Sequence, residues 1–226
     1  MASSIFPSAL AHVRRSARLS QATGGLPARL LLEHVTAVAS KGRARPLIGG
    51  SDAGAARPAG AGVGASLNFN KIVDGTPLPA KRFEGKAVLV VNTASLCGLT
   101  PQLKELELVH KRFRDSGLVV LGIPSNDFGG QEPWDEQKIK DFYAEDFGVT
   151  FDLTSKLNVV GPNAHPLYAA VTAEFGLDAG PQWNFHKLLV GADGNLAGIF
   201  GSNLSPLEPD VTDAIEEALP EAHAAA

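Results

Sequence analysis

The sequence predicts an α/β domain over residues 66–220, with a central mixed sheet flanked by helices. Three observations predict it. The apolar runs KAVLVVNTAS (86–95) and LVVLGIP (118–124) read as strands buried on both faces, as in parallel sheets. Between them lies a segment of helical periodicity, the arrangement of a right-handed crossover. Near the end, FHKLLVGADGNLAGIFG (185–201) reads as a hairpin turning at Asp193-Gly194, by a type I′ or related turn.

Taken in order, SLNFNKIV (66–73) followed by Asp74-Gly75 reads as a strand and tight turn, an N-terminal hairpin. After the first buried run, TPQLKELELVHKRFRDSG (100–117) offers Thr100 as N-cap and Pro101 at the first helical position. Leu103, Leu106, Val109 and Phe113 share one helical face, and Gly117 is a stop signal. DEQKIKDFYAEDFG (135–148) carries Ile139, Phe142, Tyr143 and Phe147 as a helical stripe. AHPLYAAVTAEFG (164–176) predicts a shorter helix, and PLEPDVTDAIEEAL (206–219) a closing one, with Leu207, Val211, Ile215 and Leu219 four apart. Residues 221–226 form a tail.

The net charge of −4 conceals an asymmetry. Residues 1–65 carry eight Lys/Arg and two acids, +6, whereas the remainder carries twelve and twenty-two, −10. A basic extension rich in Ala, Ser, Gly and Arg has the composition of an organelle transit peptide. It addresses a mitochondrion ahead of a chloroplast; without that address the protein is expected in the cytoplasm. GGSDAGAARPAGAGVGA (49–65) reads as a linker that buries little, so the domain is expected to start near Ser66. An acidic domain argues against nucleic-acid binding. No apolar run approaches a membrane span. One cysteine excludes a disulfide scaffold and a Cys-rich metal site, and no metal is implied because ligand clusters of the required spacing are absent.

That cysteine, Cys97 in VVNTASLCGLTPQ (90–102), falls between a strand end and a helix start, the edge of an α/β sheet where sites form. Backbone N–H groups at a helix N-terminus stabilise a thiolate. C-G-L-T places Thr100 where dithiol oxidoreductases carry a second thiol. The plain alternative is an inert cysteine packed as a small hydrophobe. LGIPSNDFGGQEPW (121–134) has a Gly-Gly kink and Gln131, and reads either as a loop folded over the site or as ordinary surface. QWNF (182–185) places Trp183 and Asn184 before a strand, where a core tryptophan is the common case.

VVNTASLCGLTPQ, LGIPSNDFGGQEP and WNFHKLLV together closely resemble the three signature blocks of the glutathione peroxidase family, in order and spacing, over about residues 66–219. The resemblance implies a thioredoxin-like fold with an insertion. It implies reduction of hydrogen peroxide and organic or lipid hydroperoxides by a thiol, in response to oxidative stress. Cys97 is then the peroxidatic residue, with Gln131, Trp183 and Asn184 as polar partners and no bound cofactor. The residue types suit those roles: the indole N–H and the amides donate hydrogen bonds without titrating near neutral pH. A Cys–His hydrolase would need a histidine base, and His186 reads as a strand residue. Many relatives carry a resolving cysteine where this chain has Ala144, and some have Cys where it has Ser125. The sulfenic acid on Cys97 is therefore expected to need an external thiol, glutathione or thioredoxin. Glutathione-preferring members have an arginine-rich strand where this chain has AGIFGS (197–202), with Ile199 at a commonly basic position. Lys81, Arg82 and Lys138 are the remaining cationic anchors. The short EFGLDAGPQ (174–182) implies a monomer or small homo-oligomer and an open site. A peroxide sensor or relay, passing oxidation from Cys97 to a partner protein, is the alternative; a purely structural domain is a third.

Overall fold

The computed structural model describes residues 62–221, so the expected transit peptide, most of the linker and most of the tail lie outside the described residues. Five strands form one mixed sheet: β1 Ala87–Thr93, β2 Leu118–Pro124, β3 Asp152–Leu153, β4 Lys187–Val190 and β5 Leu196–Phe200, in the order β3-β2-β1-β4-β5. β1 pairs with β2 in parallel, β2 with β3 in parallel, and β4 runs antiparallel to both β1 and β5. Four helices accompany it: α1 Gln102–Phe113, α2 Glu136–Phe147, α3 Pro166–Phe175 and α4 Pro209–Ala218.

The continuous apolar run of β1 is explained by its two covered faces. Ala87, Leu89 and Val91 pack with α1, α2 and α4, while Val88 and Val90 pack with α3 and the N-terminal segment. The stripe Leu103, Leu106, Val109 and Phe113 is buried as its spacing requires. Burying each such side chain is worth about 1.5–3 kcal/mol. Gly117 ends the turn after α1 at φ 100°, a left-handed conformation that glycine adopts without a Cβ clash.

The structure differs from the sequence reading in four details. Residues 66–73 do not form a strand; single antiparallel bridges join Lys71 to Pro77 and Ile72 to Thr154, while Leu67 and Phe69 are buried. The N-terminal hairpin is thus reduced to one bridge around Asp74-Gly75. The domain also begins earlier than Ser66. Val63 is buried, the Gly64 N–H donates to the Gly194 carbonyl at 2.8 Å, and a Cβ on Gly62 would collide with that same carbonyl. The β4–β5 turn is of the related kind rather than type I′ itself, which needs two residues at positive φ. Only Gly194 has it, at 80°, and its N–H closes the turn on Gly191 at 2.9 Å. Finally, β3 is an unexpected edge strand of two residues.

Glu107 of α1 ties down the segment leading to β3. Its carboxylate accepts from the Thr150 N–H at 2.7 Å and hydroxyl at 2.6 Å, with Lys111 at 3.2 Å. Burial pushes its pKa up, but Thr150 and Lys111 outweigh that and hold it below 4.5. A lowered folded pKa contributes stability that is present above 4.5 and is lost as the pH falls through the folded value. Glu107→Ala is expected to cost about 1–3 kcal/mol at neutral pH. Denaturant midpoints should show the gap to wild type narrowing in acid; a gap independent of pH would contradict this account.

Among the described residues no helix is long and apolar enough to cross a membrane.

Candidate active site around Cys97

Cys97 lies beyond the C-terminal end of β1, in a series of turns that precedes α1, and is partly buried. The expectation that it faces open N–H groups of the helix is not met. The N–H groups of Gln102, Leu103 and Lys104 donate to the carbonyls of Leu99, Thr100 and Pro101. The donor aimed at the sulfur is the Leu99 N–H, 3.4 Å from Sγ. Thr100 does not cap α1, whose N-cap is Pro101. Its hydroxyl oxygen accepts from the Cys97 N–H at 3.1 Å and lies 2.7 Å from the Cys97 carbonyl and 2.9 Å from that of Ala94. The second position of C-G-L-T therefore fixes the loop that carries the thiol.

The two distant blocks converge on this loop. The Leu96 N–H donates to the Gln131 carbonyl at 3.0 Å, fastening the residue before Cys97 to the Gly-Gly loop. Gly129 and Gly130, both at φ 63°, give that loop its sharp bend. Asn184 Nδ2 donates to Gln131 Oε1 at 2.8 Å. Asn184 is fully buried, so this bond orients Gln131 and leaves the Gln131 Nε2 hydrogens for another acceptor. Trp183 is not a core residue: it is 41% exposed, and its ring lies 5.7 Å from that of Phe128. The structure thus brings Gln131, Trp183 and Asn184 into one cluster, bonded through the backbone to the Cys97 loop.

A bulge sets the aim of Trp183 and Asn184. Phe185 takes φ 66°, and among the described residues it is the one non-glycine at positive φ. Its N–H donates to the Asn92 carbonyl at 2.7 Å, while the Asn92 N–H donates to the His186 carbonyl at 3.4 Å. Two residues of one strand therefore oppose one of β1, with the first left-handed, the pattern of a bulge normally built on glycine. Asn92 Nδ2 also holds the Trp183 carbonyl at 3.1 Å. His186 is buried, and burial holds its pKa down at about 4, so the imidazole that precedes β4 is neutral and a weak base.

Sequence reasoning missed Glu132. It is fully buried and accepts from Ser95 Oγ at 2.7 Å and from the Tyr143 hydroxyl at 2.8 Å, joining the Cys97 loop to α2. Asn92 was missed too; a lone amide inside an apolar run was its signal. Ala144, where the family resemblance puts the resolving position, is exposed on α2, and Ser125 is buried. Of the expected cationic anchors, Arg82 is paired with Asp152 at 2.5 Å and Lys138 sits 4.2 Å over the Trp134 ring. Lys81 is exposed in the turn that leads into the start of β1, the strand end away from Cys97.

A family model for glutathione peroxidase matches residues 67–172. The chain is 45% identical over 144 residues to the hydroperoxy fatty acid reductase gpx1 of Synechocystis sp., covering 60% of this chain and 85% of that one. It is 42% identical over 143 residues to the glutathione peroxidase-like peroxiredoxin gpx1 of Schizosaccharomyces pombe, covering 61% and 90%. Among solved structures, that of Trgpx in apo form superposes with a TM-score of 0.52 at 34% identity, over 69% of this chain and 98% of that one. The fold is thioredoxin-like, and the protein is a peroxidase, an oxidoreductase that takes a peroxide and a thiol. With the three motif blocks gathered at one edge of such a sheet, the chain belongs to the glutathione peroxidase family.

Proposed function

We propose that the protein is a one-cysteine thiol peroxidase that reduces hydrogen peroxide and organic or lipid hydroperoxides through a sulfenic acid on Cys97. The observation that carries this reading is the Asn184–Gln131 bond beside the Cys97 loop, which leaves the Gln131 Nε2 hydrogens to donate. The Cys97 thiolate attacks one peroxide oxygen, the O–O bond breaks, and the other oxygen departs as alkoxide or hydroxide and takes up a proton. Sulfur loses two electrons and the peroxide gains them. Gln131 Nε2 and the Trp183 indole N–H stabilise the thiolate and the departing oxygen, and Asn184 holds Gln131 in place.

The second half of the cycle uses an external thiol, because Ala144 offers no sulfur. A thiol condenses with the sulfenic acid, releasing water and leaving a mixed disulfide; a second thiol then frees Cys97. Thioredoxin is favoured over glutathione, since Arg82 and Lys138 are engaged elsewhere and β5 carries no arginine. Exposed Leu96 (52%), next to Cys97, and exposed Trp183 give the site an apolar character suited to fatty acyl hydroperoxides.

Stopped-flow mixing of reduced protein with hydrogen peroxide or a fatty acid hydroperoxide, followed by thioredoxin or glutathione, tests these steps. Rapid loss of the thiol and faster turnover with thioredoxin are expected. Reaction with hydrogen peroxide alone would remove the lipid assignment. Fast oxidation without turnover on either reductant, with mixed disulfides to other proteins, would select the relay reading.

A further inference from the structure

Lys187 is the group the chemistry above leaves unused. It lies on β4 between Phe185 and Leu189 and is fully buried. Its ammonium Nζ donates to the Phe185 carbonyl at 2.8 Å and faces the Ser202 carbonyl at 3.5 Å. The Ser202 carbonyl also accepts from Gln102 Nε2 at 2.7 Å, at the start of α1. Among the described residues no carboxylate forms an ion pair with Lys187; Glu105 acts on it only at longer range and is itself bonded to Ser205 at 2.7 Å. Burial pushes the amine down to about 7, a measure of how poorly this environment hosts the charge.

A buried lysine without an ion-pair partner is costly to keep, and an apolar side chain of similar volume is commonly neutral or stabilising in its place. Fold stability therefore does not account for it. Its position does. Phe185 is the left-handed residue of the bulge, and a non-glycine residue there costs of order 1–3 kcal/mol and persists only where its surroundings enforce it. Lys187 holds the peptide that follows the Phe185 Cα, through the Phe185 carbonyl. The peptide that precedes it is held through the Phe185 N–H, which bonds to the Asn92 carbonyl. Trp183 and Asn184 are the two residues immediately before this grip.

We infer that Lys187 is a positioning residue of the peroxidase site, holding the Phe185 bulge so that Trp183 and Asn184 stay aimed at the Gln131 and Cys97 loops. This rests on the peroxidase reading of Cys97. A displacement of about 1 Å in a catalytic group can cost on the order of a hundredfold in rate, so a modest relaxation of the bulge is enough to register.

The test compares wild type, K187M, F185G and K187M/F185G in a W134F background, which leaves Trp183 as the sole tryptophan. Each reduced protein is mixed with hydrogen peroxide, and Cys97 oxidation, Trp183 anisotropy and the urea midpoint are read. K187M is expected to keep or raise the midpoint, to slow oxidation about ten- to a hundredfold, and to lower the anisotropy of Trp183. Glycine takes the left-handed conformation without strain, so the effect of K187M should shrink in the F185G background. A wild-type rate in K187M, an unfolded K187M, or an equal loss in both backgrounds would each overturn the inference. If F185G does not fold, the rate and anisotropy of K187M decide. A wild-type protein inert to peroxide would remove the peroxidase reading instead, and the Trp183 anisotropy of K187M then decides on Lys187 alone.

Discussion

Cys97→Ser is expected to abolish peroxide consumption, lowering the rate by at least about a thousandfold while leaving the fold intact. Serine is close in shape, and its oxygen can accept the Leu99 N–H that Cys97 Sγ accepts at 3.4 Å. The Thr100 bonds that shape the loop run to backbone atoms and survive the change. Chemistry is what is lost. A thiol ionises within reach of neutral pH and sulfur accepts the peroxide oxygen as a sulfenic acid, whereas a serine hydroxyl does neither. The measurement is peroxide loss with a saturating thiol, alongside circular dichroism and the urea midpoint of the same samples. Full activity in C97S would falsify the central assignment. Reduced activity with a collapsed midpoint would instead mean that the thiol is needed for packing.

The parts of this fold legible in the sequence are those in which one segment carries its whole signal. β1 and β2 are continuous apolar runs because both faces are covered, and α1 shows its stripe because one face meets the sheet. β3 has two residues and exists only through pairing with Leu121 and Gly122, so no local period announces it. Residues 66–73 failed in the opposite sense: Leu67 and Phe69 are apolar because they fill the core under α3, not because a neighbouring strand pairs with them. At the site, the motif residues were readable but their bonding was not. Thr100 has the chemistry of a helix cap and serves the Cys97 loop instead. Asn184 offers two N–H groups, and one goes to Gln131. Phe185 gives no sign in its residue type of a conformation that usually calls for glycine. Each of these depends on a partner 50 or more residues away or on a neighbour's backbone, which periodicity and propensity do not encode.

Glu132→Ala is expected to cost about 2–5 kcal/mol and to slow Cys97 oxidation as well. Removing the carboxylate orphans the hydroxyls of Ser95 and Tyr143 in a buried setting and opens a void between the Cys97 loop and α2. The neighbouring backbone adds to the effect. The Glu132 N–H donates to Asn126 Oδ1 at 2.9 Å, its carbonyl accepts from Lys156 Nζ at 3.0 Å, and the adjacent Gln131 carbonyl holds Leu96. Glu132→Gln separates charge from geometry. Its amide keeps the shape, and either hydroxyl can turn to accept from Nε2. Burial raises the Glu132 pKa above 4.5, against the Ser95 and Tyr143 hydroxyls that favour the charged form. With a raised folded pKa, its contribution is fully present below 4.5 and declines as the pH climbs through the folded value. Wild type should therefore lose stability relative to Glu132→Gln as the pH rises from about 4 to 8, with the two closest in acid. Glu107 contributes with the opposite sign below 4.5 in both proteins and cancels in the comparison. Urea midpoints of the pair across that range decide the matter. A constant difference would show that the ionisation of Glu132 is not linked to folding, leaving the hydroxyl bonds alone as the reason for its place beneath the site.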